Sequence, residues 1–465
     1  MKRHTTLINH SFITFFCFLL INSPVMANQH EIDISQHAFT HSISGLNSEQ
    51  RVEFSIGKAL FKRIWVSAPA STQATDGLGP LYNARSCLAC HPNNGRGKPF
   101  EQSNAPSKSL VIKVDIPAKS EAHKQHLAEN RINNIPEPVY GTQLQNFAIA
   151  THDSEFKLQI TYLETAVTLF DGEVVVLRKP IYQLNNLNYG KLDLNTRISP
   201  RVAPQLVGLG LLEAIDENSL QAMSDEEDEN DDGISGKVNW VWSREFNKVV
   251  AGKFGLKSGS PSINEQSQSA FFTDIGISTH LYPEGYGDCT NRQTDCRHAI
   301  DGNSQQYDNL EAPLAVTQSV KFYLQQLAPP PRRNWDDPDV QAGSSLFNQS
   351  GCSACHIASF EVEFNNQRQE IHPYTDLLLH DMGEGLADHR PEGRASGQEW
   401  RTPPLWGIGL TPHVSGHTQY LHDGRASTLL QAVLWHGGEA QAARDAVIAL
   451  TKQQRKQLLL FLESI

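Results

Sequence analysis

CLACH at residues 87–91 and CSACH at residues 352–356 are two copies of the same pattern, C-x-x-C-H. Two thiols one helical turn apart can each bond to a vinyl group of a porphyrin, and the adjacent histidine then reaches the iron as an axial ligand. A thioredoxin-like redox pair does not need that histidine, and a zinc ion shared by both pairs would have to join distant segments. The sequence therefore predicts two covalently bound haem c groups, attached through Cys87, Cys90, Cys352 and Cys355, with His91 and His356 as iron ligands.

Helical patterns surround each motif in the same order. Asn47–Trp65 precedes the first motif and Asp337–Asn348 precedes the second, each with apolar residues at helical spacing. Glu311–Leu327 and Gln441–Ile465 are predicted as the helices that close the two copies. Pro329–Pro331 cannot continue a helix, so it separates the copies. This order predicts a mainly α fold with two cytochrome c-like domains, at residues 28–330 and 331–465.

The first copy is too long for a bare cytochrome, because a long segment separates its haem motif from its closing helix. Three runs in that segment have the composition of strands: Leu110–Ile116, Phe156–Leu163 and Glu173–Leu177. We expect a large β-containing insertion packed beside the first haem; a separate middle domain is the alternative.

The N-terminus has the pattern of a secretory signal. Lys2 and Arg3 are followed by an apolar run at Phe12–Ile21 and by small residues that end at Ala27. The apolar run is too short to span a membrane, and no later segment approaches the roughly 18 consecutive apolar residues that a span requires. Residues 1–27 are therefore predicted as a signal peptide cleaved near Ala27. The mature protein is expected in the periplasm, without stable membrane insertion.

The formal net charge of −12 argues against a nucleic acid as partner. An acidic surface instead attracts basic redox proteins. We expect the partner to be a small periplasmic electron donor, either a cytochrome or a cupredoxin.

The chain has seven cysteines, of which four lie in the two motifs and Cys17 lies in the predicted signal. Cys289 and Cys296 remain. An oxidising compartment favours a disulfide between them, and a pair of free thiols is the alternative.

The acidic segment Asp225–Gly236 contains the D-x-N-x-D-G order of a calcium-binding loop. The predicted ligands are Asp228, Asn230, Asp232 and the carbonyl of Ile234. Position twelve of the loop is Asn239 instead of the bidentate Glu of a complete EF-hand. An acidic solvated turn therefore remains the alternative to a calcium ion.

Two segments of the C-terminal third resemble a known group of enzymes. Trp400–Leu405 and Tyr420–Arg425 resemble segments of bacterial di-haem cytochrome c peroxidases and of the related di-haem enzymes that oxidise tryptophan on a partner protein. Asp76–His91, Ser199–Ile215 and His372–Arg390 more closely resemble a group of bacterial di-haem oxidoreductases labelled peroxidases or thiol oxidoreductases. A thiol oxidoreductase activity gains little support, because the cysteines of both C-x-x-C pairs would be bound to haem as thioethers and would not be free thiols.

The resemblance to the peroxidases implies an axial ligand on the second face of the C-terminal haem. The pattern that carries this ligand corresponds to Ala432–His436, so His436 occupies a position where the peroxidases have Met and the tryptophan-modifying enzymes have Tyr. Two histidine ligands would lower the reduction potential relative to a His/Met iron. There are two alternatives. Met382 could be the ligand, or His436 could be a packed or surface residue that does not bind iron.

The N-terminal haem would be the reactive one in such an enzyme, and peroxide chemistry needs a sixth iron position that is open or displaceable. Gln143 and Gln145 are candidates for the distal pocket, or else they form a polar strand face. His126, His152 and the more remote His41 are candidate displaceable ligands. The sequence identifies no acid residue for O–O bond cleavage.

The resemblance and the motifs together predict a periplasmic di-haem oxidoreductase of cytochrome c peroxidase type. Electrons would pass from the C-terminal haem to the N-terminal haem, where peroxide or another oxidant reacts. The alternative is a non-catalytic di-haem electron-transfer cytochrome docked to a larger redox or metal-uptake system.

Overall fold

The computed structural model describes Met1, residues 32–99 and residues 107–465. Apart from Met1, the predicted signal peptide lies outside the described residues. The helices and strands below belong to one unit, Asp33–Ile465. Within the described part of the chain, no helix combines the length and the apolar character that crossing a membrane would require.

The α-helices of the described residues vary from single turns to four turns. In chain order they are α1 (Ser48–Lys62), α2 (Cys87–Cys90), α3 (Glu121–Ala128), α4 (Leu209–Glu213), α5 (Glu217–Met223), α6 (Ile263–Ala270), α7 (Thr294–Arg297), α8 (Leu314–Gln325), α9 (Pro338–Gln349), α10 (Thr411–Ser415), α11 (Leu429–Leu434), α12 (Gln441–Ala449) and α13 (Lys452–Ser464).

The strands of the described residues form small antiparallel sheets. In chain order they are β1 (Leu81–Tyr82), β2 (Leu110–Asp115), β3 (Gln143–Leu144), β4 (Phe147–Ala148), β5 (Lys157–Thr168), β6 (Val174–Asn185), β7 (Arg197–Val202), β8 (Trp240–Ser243), β9 (Lys248–Ala251), β10 (Phe360–Phe364), β11 (Gln367–Ile371), β12 (Leu379–Asp381) and β13 (Glu399–Arg401). One sheet has the order β3-β2-β7, and the remaining strands pair two by two.

The prediction of a mainly α fold is wrong. The structure is 30% helical and 19% strand, and its strands are divided among several small sheets. The three predicted strand runs correspond to β2, β5 and β6, but the sequence analysis assigned no strand to residues 331–465. The division of the chain at residue 330 stays a prediction.

The hairpin β10–β11 of the C-terminal part carries a turn signal in its sequence. Its two strands pair from Phe360 with Ile371 to Phe364 with Gln367. Asn365 and Asn366, which connect them, have φ values of +51° and +59°. Two consecutive left-handed residues form the tight turn that suits a hairpin, and asparagine tolerates this conformation better than most residues. The Asn-Asn pair was therefore a readable hairpin signal.

Three of the four predicted helices around the motifs are confirmed and the last is divided in two, and the helices pack as two similar pairs. Helix α1 packs against α8, and α9 packs against α13. A Cβ built on Gly57 of α1 would lie 2.1 Å from the carbonyl oxygen of Ser319, and one built on Gly343 of α9 would lie 2.0 Å from that of Gln457. Each pair of helices therefore crosses at a glycine, because any larger residue would hold the backbones apart.

The predicted last helix, Gln441–Ile465, is broken at Leu450. Helix α12 ends there, and α13 begins after Thr451, whose side chain forms a reciprocal capping box with Gln454. Thr-x-x-Gln is the sequence signature of such a start, because the two side chains satisfy the free N–H groups of the first turn.

Candidate functional site

Both C-x-x-C-H motifs line one cavity of about 1810 Å³. Pockets for single small ligands are usually 300–1,000 Å³. The cavity therefore has room for more than one large prosthetic group. Helices α1, α8, α9 and α13 supply part of its apolar wall, and the sheet β3-β2-β7 supplies polar residues.

The four motif cysteines are free thiols, whereas Cys289 and Cys296 form a disulfide. Burial raises the pKa of Cys87 to about 12 and that of Cys352 to about 11. Thiols with such pKa values are weak nucleophiles near neutral pH, which disfavours a disulfide-exchange role for either pair. Within the described residues, the cluster with metal-holding geometry is Cys355, Asp376 and His380, which does not unite the two pairs around one zinc ion.

The two motif histidines are oriented in the same way. His91 Nδ1 lies 2.7 Å from the carbonyl oxygen of Pro204, and His356 Nδ1 lies 2.9 Å from that of Tyr374. A hydrogen bond at Nδ1 fixes the neutral tautomer whose Nε2 can bind a metal. Burial lowers the pKa of both histidines to about 4, which keeps them neutral.

An aromatic residue of the preceding helix packs against each motif histidine. The rings of Phe61 and His91 are 6.5 Å apart, and those of Phe347 and His356 are 6.3 Å apart. Phe61 contacts Tyr323 of α8, and Phe347 contacts Phe461 of α13. The two halves of the cavity therefore repeat one arrangement, in which the helix pair holds the histidine.

His436 follows the end of α11 and lines the cavity. Its Nδ1 lies 2.8 Å from the carbonyl oxygen of Ala432, one helical turn earlier, which leaves Nε2 as the available nitrogen. Burial lowers its pKa. His436 lies close enough to His356 to lower the pKa of that residue. His436 as an iron ligand on the C-terminal side stays a prediction.

Comparison with known families decides the class of protein. The model described as "Di-haem oxidoreductase, putative peroxidase" matches residues 26–465. The chain belongs to this family of di-haem oxidoreductases. A search of curated proteins finds no match for this di-haem oxidoreductase.

Among solved structures, a hydrazine synthase of Kuenenia stuttgartiensis pressurized with 20 bar xenon is similar to this di-haem oxidoreductase at 15% sequence identity. The similarity covers 43% of this chain and 70% of that chain, with a TM-score of 0.24. A likeness this weak supports no conclusion about fold or activity.

The residues of the cavity fit two haems. Each C-x-x-C-H motif presents two thiols and a neutral histidine to the same space, as thioether formation and iron binding require. Cationic side chains are also present for the propionate groups. Arg201 and Arg390 line the cavity, and each lies within 2.8 Å of Glu392. Arg390 Nε is buried without a partner among the described residues, so it is free to meet an anionic group.

Glu392 itself remains ionised. Burial alone would raise its pKa, but Arg201, Arg390 and Lys113 together hold the pKa well below its usual range. Three cations around one carboxylate leave positive charge at this wall of the cavity. The sequence analysis missed this group, because its members come from β2, β7 and the segment after residue 388.

The C-terminal motif has a charged neighbour that sequence analysis also missed. His380 is 3% exposed, and its ring nitrogens lie 2.8 Å from Asp376 and 2.7 Å from Glu439. Burial lowers its pKa, but hydrogen bonds with Asp376, Cys355 and Glu439 outweigh burial and raise the pKa to about 12. His380 is therefore an imidazolium ion beside Cys355, held by two carboxylates.

The N-terminal motif has a different polar neighbourhood. Gln143 is fully buried and lines the cavity, and its Nε2 donates to Asn83 Oδ1 and Asp274 Oδ1, at 2.6 Å each. Since both partners are acceptors, Gln143 must direct its amide nitrogen toward them. Its Oε1 then has no partner among the described residues. Gln143 can therefore accept a hydrogen bond from a molecule in the cavity.

Asp274 is an acidic residue whose charge acts on the N-terminal motif. It lies in a single π-helical turn, Phe271–Ile275, and its charge raises the pKa of both Cys87 and Cys90. Burial raises its own pKa, and Lys113 and the hydrogen bond from Gln143 oppose this effect. π-Helical turns are frequent at functional sites. No local sequence pattern identifies Asp274, because only the fold brings it beside residues 87–90.

Of the other residues predicted as possible haem ligands or distal-pocket residues, some line the cavity and others do not. Gln145 is buried and its Nε2 donates to the carbonyl oxygen of Thr273, but it does not line the cavity. His126 is exposed on α3 at the edge of the cavity. His41 forms a surface ion pair with Asp33, and His152 is half-buried; both are outside the cavity wall. Met382 lines the cavity on the C-terminal side.

In the acidic segment Asp225–Gly236, some side-chain oxygen atoms accept hydrogen bonds from backbone N–H groups of the same segment. The backbone N–H of Asp232 donates to Asp228 Oδ1 and Asn230 Oδ1, and that of Gly233 donates to Asp228. Asn239, at loop position twelve, is buried and bonded to Lys257 and Glu392 instead. Calcium binding by Asp228, Asn230, Asp232 and Ile234 stays a prediction.

Proposed function

We propose that this protein is a periplasmic di-haem c-type oxidoreductase of cytochrome c peroxidase type. The observation that carries the proposal is the asymmetry of the cavity. On the C-terminal side, His436 lies near His356 and would serve as a second ligand to the haem iron. Beside the N-terminal motif, the cavity is lined by Gln143, Asp274 and Lys113, which are hydrogen-bonding groups, whereas His126, the histidine candidate that lines the cavity, is exposed at its edge.

Cys87, Cys90, Cys352 and Cys355 would hold two haems through thioethers, and the bound haems would supply electron transfer from the C-terminal to the N-terminal group and reduction of peroxide or another oxidant there. The protein side chains bind and orient. Gln143 Oε1 accepts a hydrogen bond from the oxidant, and Asp274, whose Oδ1 is fixed by Gln143 Nε2, takes up a proton at Oδ2. Lys113 sets the charge of Asp274.

A small basic electron donor suits this protein. The chain carries a net charge of −12, and charge complementarity accelerates the encounter of redox partners. A cytochrome or a cupredoxin of the periplasm would have the required size and chemistry.

The presence of His436 also favours a second candidate, an electron-transfer cytochrome without catalytic activity. This candidate requires strong axial ligands on both faces of both haems. It differs from the peroxidase proposal in one property, the coordination of the N-terminal iron.

Low-temperature EPR of the purified holoprotein distinguishes the two candidates. The oxidised and half-reduced protein would be measured with and without hydrogen peroxide. A high-spin ferric signal that peroxide consumes, beside a low-spin signal that depends on His436, is the expected result. Two low-spin signals that persist at every redox level would exclude the peroxidase proposal and favour the electron-transfer cytochrome.

A further inference from the structure

Gln143 belongs to a strand that has little support from its own sheet. Strand β3 has only two residues, and it pairs with β2 through Leu144 with Ile112 and Gln143 with Lys113. Such a short strand cannot hold a buried side chain in a fixed position by ladder hydrogen bonds alone. Other contacts must hold β3 in place.

Asp288 binds the beginning of this strand. Its Oδ2 accepts hydrogen bonds from Thr142 N at 2.6 Å, Thr142 Oγ1 at 2.8 Å and Gln143 N at 3.1 Å. A carboxylate that accepts several backbone N–H groups forms strong, charge-assisted bonds. Gly141 permits this approach, because a Cβ at that position would lie 2.6 Å from Asp288 Oδ2.

Glu155 binds the end of the strand in a similar way. Its Oε2 accepts a hydrogen bond of 2.6 Å from Gln145 N, and its Oε1 accepts one from Gln293 Nε2. Glu155 is 2% exposed, so water does not replace these bonds. Both ends of β3 are therefore fixed by buried or half-buried carboxylates.

Both carboxylates depend on the same loop. Asp288 directly precedes Cys289, and Gln293, which holds Glu155, lies between Cys289 and Cys296. The disulfide joins these two cysteines and closes the loop, and both sulfur-bearing residues are buried. Thr290 Oγ1 also donates to the carbonyl oxygen of Val139, which ties the loop to the turn before β3.

We propose that the disulfide-closed loop Cys289–Cys296 holds Gln143 at the N-terminal haem, with Asp288 as the positioning residue. Asp288 acts through Thr142 and Gln143, and Glu155 supports it through Gln145. This inference rests on the proposed function, in which the N-terminal haem is the reactive one. The disulfide thereby helps to position the Gln143 side chain as a hydrogen-bonding group in the cavity.

The test uses the holoprotein and a double-mutant cycle. Asp288→Ala, Gln143→Ala and the double variant would be compared by the EPR signal of the N-terminal haem and by the second-order rate constant for reaction with hydrogen peroxide. If Asp288 acts through Gln143, all three variants show the same shifted N-terminal signal and an unchanged C-terminal signal. Each also reacts about tenfold more slowly, as the loss of one hydrogen bond predicts, and the double variant is no slower than the singles.

Three further variants sharpen the test. Asp288→Asn should shift the signal in the same direction by less, since a neutral amide oxygen is a weaker acceptor, and it serves if Asp288→Ala does not fold. Cys289→Ser combined with Cys296→Ser should reproduce the Asp288→Ala signal. Arg292→Ala, an exposed change in the same loop, should leave the signal as in the wild type.

A wild-type N-terminal signal in Asp288→Asn or Asp288→Ala, or additive effects in the double variant, would overturn the positioning role. Failure of the proposed function has a different result. In that case the wild-type protein does not react with peroxide, while the EPR comparison of the variants still reports whether Asp288 positions Gln143.

Discussion

Replacing Gly57 by Ala should destabilise the protein, although the same change stabilises most helices. In the middle of an open helix, Gly→Ala gains about 1 kcal/mol because alanine has the higher helix propensity. Here the new Cβ would lie 2.1 Å from the carbonyl oxygen of Ser319 and 2.7 Å from Cβ of Tyr323. Ordinary C···O contacts are about 3.3 Å or longer, so α1 and α8 would have to separate by about 1 Å.

The expected magnitude follows from these two opposing effects. Overpacking of a well-packed interface costs typically 1–3 kcal/mol, and a clash with backbone belongs at the upper end. After the propensity gain of about 1 kcal/mol, we expect the free energy of unfolding to fall by about 2 kcal/mol. Because Phe61 lies one turn beyond Gly57 and contacts His91, the absorption spectrum of the N-terminal haem should change as well.

Urea unfolding of the holoprotein, followed by haem absorbance and by far-UV circular dichroism, measures this effect. Ser55→Ala is the matched control, since Ser55 lies on the exposed face of the same helix and the change should be close to neutral. A Gly57→Ala protein that is as stable as the wild type, or more stable, would refute the close crossing of α1 and α8.

Three other outcomes are expected. His436→Ala should abolish the low-spin EPR signal of the C-terminal haem and leave the N-terminal signal unchanged; an unaffected C-terminal signal would point to Met382 or another ligand. Cys352→Ser combined with Cys355→Ser should reduce the covalently bound haem from two groups to one, measured by the mass of the intact protein; a mass with both haems would contradict thioether attachment there. Burial raises the pKa of Glu311 from 4.5 to about 7, so the folded state retains a proton that the unfolded state has released, and the contribution of Glu311 to the free energy of unfolding should fall by about 3 kcal/mol as the pH rises from 4.5 to 7. Glu311→Gln should remove most of this dependence in urea titrations at pH 5 and pH 8, and an equal pH dependence in both proteins would argue against the raised pKa.

Structural features that depend on residues close together in the chain can be predicted from the sequence. The helices α1 and α9 were predicted because their caps and apolar spacing lie within a few residues. The C-x-x-C-H motifs carry their chemistry in five consecutive residues. The break between α12 and α13 is also encoded locally, in the capping box of Thr451 and Gln454. The prediction of one continuous helix, Gln441–Ile465, did not take this signal into account.

The β content was underestimated for a physical reason. Most strands are short and occur as isolated pairs, so each has too few residues for the alternation of a strand to stand out from chance. Their stability comes from packing on the surrounding core. The strands β2, β5 and β6, with 6, 12 and 12 residues, are long enough to be recognised from their pattern.

By itself, the sequence determined the two C-x-x-C-H motifs, the helices that precede them and the membership in a di-haem family that their context predicted. These features depend on residues that are close together in the chain. The tertiary structure alone decided which groups share the cavity. Asp274 lies beside the N-terminal motif, Arg201 and Arg390 lie against Glu392, and Asp288 holds the strand of Gln143. Except for Arg390 and Glu392, these contacts join residues that are distant in sequence, so no local propensity or spacing encodes them.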